Sequence, residues 1–99
     1  MADHFAAQLR FSVANGIGGW FDDDVAFMNP WGFDLDAITV PTFVWQGSDD
    51  LMVPAAHGHW LGDNVAATSA TILDGQGHFS LAAASFDQCV RQLRGVLDR

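Results

Sequence analysis

The chain has 99 residues, of which 49% are hydrophobic and 16% are charged, so its composition excludes a disordered chain and indicates a small folded domain. The formal charge is −8, from 12 acidic and 4 basic residues, and every acid is Asp and every base is Arg. Phosphate groups are bound by clustered cations, so this balance argues against nucleic acid and anionic membranes as partners. No apolar run reaches the ~20 residues of a membrane span.

The aromatic content predicts a packed core. Four Trp and eight Phe are present, and each aromatic side chain can bury roughly 150–250 Å². Cys89 is the only cysteine, so no internal disulfide is possible and a reducing compartment is favoured. Met1 is followed by neither a basic start nor an apolar signal region. We therefore expect a cytoplasmic location.

The first third of the chain predicts two helices. Apolar residues recur at helical spacing over residues 2–14, and Gly16 marks a stop. Further glycines break the pattern, and Asp22 or Asp23 is expected to cap a short helix that ends at Met28. We interpret the run of three acids there as a capping element, because three consecutive side chains do not converge on one metal ion.

Strands and helices alternate in the rest of the chain. Residues 38–45 are rich in β-branched and aromatic side chains and predict a parallel strand that is covered on both faces. Pro54 is expected to open the next helix. Residues 70–73 predict a second strand, followed by a final helix. The order helix, helix, strand, helix, strand, helix predicts an α/β fold with a parallel sheet and a right-handed crossover.

The helix after Pro54 is expected to carry Trp60, Leu61 and Val65 inward. The four-residue spacing of Gly58 and Gly62 suits the close approach of another element. The final helix has an apolar stripe that we expect to face the core. The stripe contains Ala82, Phe86, Cys89, Val90, Leu93, Val96 and Leu97. The polar residues of that helix, including Gln92, are expected to face mostly outward.

Two titratable residues follow the two predicted strands. Asp50 follows the first strand, and His78 follows the second one crossover later. Functional residues gather beyond the carboxyl ends of parallel strands, so we expect these side chains to share one edge of the sheet. A carboxylate beside an imidazole fixes its tautomer and stabilises the imidazolium that forms on proton uptake. The two residues therefore predict the acid and the base of a Ser-His-Asp relay.

Both residues also have ordinary structural interpretations. Asp50 could cap the helix at Pro54 or form a turn, and His78 could be a simple loop residue. Their placement after successive strands favours the relay. His57 and His59 are two residues apart and point to different faces of a helix, whereas zinc-binding histidines on helices are usually four apart. We therefore expect neither a metal nor a cofactor.

Three parts of the chain resemble α/β-hydrolase-fold enzymes. Residues 40–54 resemble the acid-bearing strand and turn of that family, and residues 75–80 (Gly-Gln-Gly-His-Phe-Ser) resemble its histidine loop. Residues 19–35 resemble the connector between cap domain and core in bacterial members. In that family the acid lies three residues after the glycine of the turn, which assigns the role to Asp50 rather than to Asp49.

The resemblance implies a domain organisation and a reaction. Residues 1–35 correspond to the end of a cap region with its connecting helix, and residues 36–99 to the C-terminal part of the core. The implied reaction is hydrolysis of an ester, amide or related bond, with Asp50 orienting His78 as the general base. The nucleophile elbow of the family, Gly-x-Ser-x-Gly, does not occur in this sequence.

We therefore expect a C-terminal fragment that is inactive alone. The nucleophile (Ser, Asp or Cys) and the small-molecule substrate would belong to the complete enzyme. The alternative is a non-enzymatic interaction module derived from the same fold. Two parallel strands leave sheet edges unpaired, and such edges invite pairing. The expected partner is a second copy of the chain or the N-terminal part of the fold.

Overall fold

The computed structural model describes residues 1–99 and contains four α-helices and one sheet of two parallel strands. The elements are α1 (Ala2–Ser12), α2 (Gly18–Met28), a 3₁₀ turn (Leu35–Ala37), β1 (Thr42–Gly47), α3 (Ala55–Asn64), β2 (Thr68–Leu73) and α4 (His78–Leu97). The predicted order of helices and strands is confirmed, with the 3₁₀ turn added. The chain divides into two compact units, Met1–Phe33 and Asp34–Arg99.

The first unit consists of α1 and α2. Gly16 lies between them with a φ of 99°, a left-handed conformation that glycine adopts without strain. Because Gly16 makes the turn, α2 already begins at Gly18. The prediction that Asp22 or Asp23 caps this helix is therefore wrong, since both lie inside it. The helix ends at Met28 as predicted, just before the Asn-Pro sequence that disfavours a further turn.

The second unit is built on the parallel pair of β1 and β2. The register runs from Thr42 opposite Thr68 to Gly47 opposite Leu73. The first strand begins four residues later than predicted, because Pro41 has no N–H to donate to a neighbouring strand. The crossover between the strands contains α3. Both strands therefore end at the same edge of the sheet.

One face of the sheet is covered by α3, which approaches it through two glycines. A Cβ atom at Gly58 would lie 2.7 Å from the Cβ of Gln46, and one at Gly62 would lie 2.8 Å from the Cβ of Ala70. These distances confirm the predicted close approach. Trp60 is 51% exposed, so its predicted inward position is wrong. It lies two residues from each glycine and therefore points away from their face.

The other face of β1 is contacted by α4. Trp45 points to this face because side chains alternate along a strand, and its indole Nε1–H donates to Gln92 Oε1 at 2.9 Å. The predicted outward position of Gln92 is therefore wrong, since the indole requires an acceptor there. The least exposed side chains of α4 are Leu81, Ser85, Cys89, Gln92 and Val96.

Much of the predicted apolar stripe of α4 is not buried. Four of its members form an exposed row at helical spacing, which we call the α4 stripe: Phe86, Val90, Leu93 and Leu97. The predicted aromatic core is likewise absent, because Val65 is the only buried apolar side chain. A two-stranded sheet with its helices has too little surface to enclose many large side chains. No helix of the chain has both the length and the apolar character needed to cross a membrane.

Candidate active site

The segments that follow β1 and β2 are bonded to each other. The N–H of Asp49 donates to the carbonyl of Gln76 at 3.0 Å, and the N–H of Gly75 donates to Ser48 Oγ at 2.8 Å. A side chain at Gly47 would overlap the Gln76 carbonyl group. Glycine at position 47 therefore lets the two segments approach closely, and the site is built where they meet.

Both carboxylate oxygens of Asp50 are engaged. Oδ1 accepts hydrogen bonds from the backbone N–H groups of Met52 and Val53, both at 2.8 Å. Oδ2 lies 2.8 Å from Nδ1 of His78 and 3.1 Å from Nε2 of Gln46. The Asp50 side chain is only 3% exposed. The structure thus brings together the two residues that the sequence predicted as acid and base.

These contacts lower the pKa of Asp50 from 3.8 to about 2. The largest cause is the hydrogen bond from the N–H of Val53, and the bonds from His78 and from the N–H of Met52 act in the same direction. Burial opposes them by disfavouring the charged form. Asp50 is therefore ionised at neutral pH, and an ionised carboxylate only accepts hydrogen bonds. The proton in the short contact must then sit on Nδ1 of His78.

The first residue of α4 is His78, so the predicted loop position is corrected to a helix N-terminus. The helix begins there because the N–H of Gly77 donates to Ser80 Oγ at 2.8 Å, a contact typical of helix starts. The rings of Phe79 and His78 are nearly perpendicular, with ring centres 5.3 Å apart. The His78 side chain is 40% exposed. With Nδ1–H bonded to Asp50, Nε2 of the neutral ring remains a proton acceptor.

The alternative interpretations of Asp50 can now be decided. It does not cap α3, because that helix begins after Pro54 without any side-chain cap. It does form a turn, through the two bonds to Oδ1. The turn and the histidine contact use different oxygens, so one residue performs both roles. The neighbouring Asp49 accepts from Ser48 Oγ at 3.1 Å instead and takes no part in the pair.

The chain's candidate hydroxyl groups are held by other partners. Ser48 Oγ accepts from the N–H of Gly75, and Ser80 Oγ accepts from the N–H of Gly77. Neither hydroxyl is bonded to His78. No group of three or more histidine, cysteine or acidic side chains is placed to hold a metal ion.

One member of the site was missed by the sequence analysis. Gln46 is a buried polar residue near the end of β1, and its amide contacts the Asp50 carboxylate. The available indication was its position, since it is the only amide residue in a strand that ends at the site. A polar side chain buried there requires hydrogen-bond partners.

Comparison with known proteins adds no identification. No protein family, curated protein or solved structure matches this chain.

Proposed function

We propose that Asp50 and His78 are the acid and the general base of an α/β-hydrolase-type active site. The observation that carries the proposal is the 2.8 Å contact between Asp50 Oδ2 and His78 Nδ1 at the carboxyl edge of two parallel strands. Asp50 orients the imidazole and stabilises its protonated form. Nε2 of His78 takes a proton from the attacking group and returns it to the leaving group.

The nucleophile in this proposal comes from polypeptide outside these 99 residues. A Ser or Cys would give its proton to Nε2 as it attacks an ester, amide or related bond, and water would then release the acyl group. An Asp nucleophile would form an ester intermediate, and Nε2 would instead take a proton from the water that cleaves it, as in epoxide hydrolases and dehalogenases. The substrate in either case is a small molecule bound by the complete enzyme.

A pair of assays tests the proposal. The 99-residue chain should hydrolyse p-nitrophenyl acetate no faster than its His78→Ala variant. The coding region upstream of Met1 should contain an in-frame nucleophile elbow, and the product of the complete reading frame should lose activity by ~10³-fold or more on His78→Ala. Rapid turnover by the 99-residue chain that depends on His78 would contradict an external nucleophile, and an active complete protein unaffected by His78→Ala would reject the proposal itself.

A second candidate function is a non-enzymatic module that associates with another copy of itself. Two observations favour it. The α4 stripe is exposed, and one edge of β1 is unpaired in the two-stranded sheet. The N–H groups of Thr42 and Ser48 point toward the β2 side, so those of Phe43 and Trp45 point to the free edge by alternation. The same edge on a second copy can pair with it around a two-fold axis.

The two candidates differ in what must cover these surfaces. A self-associating module forms a stable oligomer from the 99-residue chain alone and needs no upstream nucleophile. A hydrolase core has the same surfaces covered by the rest of its own fold. An in-frame nucleophile elbow upstream of Met1 favours the hydrolase, and a reading frame that starts at Met1 favours the module.

A further inference from the structure

The amide of Gln46 can be oriented without ambiguity. Gln46 is 7% exposed, and its side-chain nitrogen lies 3.1 Å from Asp50 Oδ2, 3.0 Å from the carbonyl oxygen of Val53 and 3.4 Å from the carbonyl oxygen of Gly47. A carboxylate and a carbonyl only accept hydrogen bonds. The NH₂ group of Gln46 must therefore face these acceptors, and its two hydrogens serve the two shorter bonds, to Asp50 and Val53.

These bonds close a ring around the Asp50 carboxylate. Val53 donates its N–H to Oδ1 of Asp50 and accepts a hydrogen bond from Gln46 at its carbonyl. Gln46 in turn donates to Oδ2. With one oxygen bound to the turn and the other to Gln46, the carboxylate cannot rotate about its bond to Cβ without breaking a hydrogen bond. Its Oδ2 is thereby held toward Nδ1 of His78.

The backbone of α3 holds Gln46 in place. A Cβ atom at Gly58 would lie 2.7 Å from Cβ and 3.0 Å from Cγ of Gln46. Real Cβ atoms do not approach side chains so closely, so any other residue at position 58 would displace Gln46 or the helix. Glycine there lets α3 pack directly against the stem of the glutamine.

We propose that Gln46 is the positioning residue of this site: it donates to Oδ2 of Asp50 and fixes the carboxylate so that this oxygen receives the Nδ1–H of His78. Gln46 acts through Asp50, since its side-chain hydrogen bonds go to Asp50 and to backbone carbonyls rather than to the histidine. Its catalytic meaning rests on the function proposed above. Its effect on the Asp50–His78 hydrogen bond does not depend on that function and can be measured on the 99-residue chain.

The test measures which nitrogen of His78 carries the proton. In ¹⁵N-labelled protein, the chemical shifts of the two ring nitrogens of neutral His78 report the ratio of the Nδ1–H to the Nε2–H tautomer. Gln46→Met keeps the side-chain volume and removes the donor, and the ratio should fall at least about fivefold because the hydrogen bond to the charged group is loosened. The matched control is Gln88→Met on the exposed surface of α4, where the ratio should not change. A folded Gln46→Met protein with an unchanged ratio would overturn the proposal.

A second pair of variants covers the case in which Gln46→Met does not fold. Gly58→Ala crowds the stem of Gln46 without removing its amide, whereas Gly95→Ala adds a methyl group where α4 has open space. The tautomer ratio should fall in Gly58→Ala and stay constant in Gly95→Ala. A glutamine that only stabilised the fold would lower the melting temperature in Gly58→Ala with no change of ratio, and that result contradicts a positioning role.

Failure of this proposal can be told from failure of the proposed function. A ratio that depends on Gln46, in a complete protein without hydrolase activity, rejects the function and keeps the positioning role. An active complete protein in which the tautomer ratio of His78 does not change on Gln46→Met rejects the positioning role and keeps the function.

Discussion

Asp50 and His78 are 28 residues apart in the sequence, yet their side chains are joined by a 2.8 Å contact between Oδ2 and Nδ1. Asp50 lies in the turn after β1, and His78 is the first residue of α4. Backbone hydrogen bonds between the two segments set the approach of these residues. The contact is therefore a property of the fold of the second unit, and its consequences can be measured on the chain.

The first prediction concerns acid stability. The pKa of Asp50 is about 2 in the folded chain, below the value near 3.9 of an unfolded aspartate. The unfolded state therefore binds the proton first as the pH falls, and the stability that ionised Asp50 contributes is fully present above about pH 4 and is lost towards pH 2. Urea unfolding at a series of pH values measures the free energy of unfolding. The difference in this free energy between the wild type and Asp50→Asn should shrink as the pH falls over this interval.

The control for this prediction is Asp63→Asn, at an exposed position of α3. It should follow the wild type across the same pH range. If the difference in the free energy of unfolding between the wild type and Asp50→Asn stays constant from pH 6 to pH 2, ionisation of Asp50 does not contribute to stability.

The second prediction concerns Gly47, the last residue of β1. Gly47→Ala places a methyl group against the Gln76 carbonyl and should lower the free energy of unfolding by about 1–3 kcal/mol. Gly95→Ala, in open space on α4, should raise it by up to ~1 kcal/mol, since alanine favours helix over glycine. Chemical denaturation measures both. Equal changes in the free energy of unfolding for the two substitutions would refute the close packing of the segments that follow β1 and β2.

The sequence was sufficient to predict the parts of this fold that depend on local pattern. The alternation of strands and helices follows from local composition and from the glycines and prolines that mark the ends of the elements. The proximity of Asp50 and His78 follows from the geometry of parallel strands. The boundary errors have local causes. At Gly18, the turn needed only one glycine in the left-handed conformation, so the later glycines entered the helix.

Features that depend on the surroundings of a side chain could not be predicted in this way. The spacing of the α4 stripe is that of a buried face, but burial needs a partner surface, and the sheet supplies one only for the adjacent face that carries Gln92. Gln46 was missed for a related reason. Helical or strand periodicity separates polar from apolar positions. The contribution of a buried amide to a site depends instead on the hydrogen-bond acceptors that the fold places around it.

The third prediction concerns self-association through the α4 stripe. If the stripe contacts a second copy, Leu93→Ser should weaken the oligomer, because each buried leucine contributes roughly 1.5–3 kcal/mol of apolar transfer energy. Gln88→Ser, elsewhere on the helix, should have no such effect. Sedimentation equilibrium at micromolar concentration gives the oligomeric state. A wild-type chain that is monomeric throughout would reject association of copies and leave the hydrolase core as the explanation of the exposed stripe.

The fourth prediction concerns the packing of α4 on β1. Gln92→Met removes the acceptor of the Trp45 indole N–H and should cost about 1–3 kcal/mol, because a part-buried donor loses its partner. The indole N–H proton resonance of Trp45 should move upfield in the variant and stay in place in Gln88→Met. An unmoved resonance would show that Gln92 does not hold the indole.

The most direct test of the account is the tautomer of His78 in Asp50→Asn compared with Asp49→Asn. The two substitutions make the same chemical change at neighbouring positions, but only Asp50 contacts the imidazole. In ¹⁵N NMR spectra of the neutral ring, the wild type and Asp49→Asn should both show the proton on Nδ1, and Asp50→Asn should shift the population towards Nε2–H. Retention of the Nδ1–H tautomer in a folded Asp50→Asn protein would contradict the acid–base pair from which the proposed function is argued.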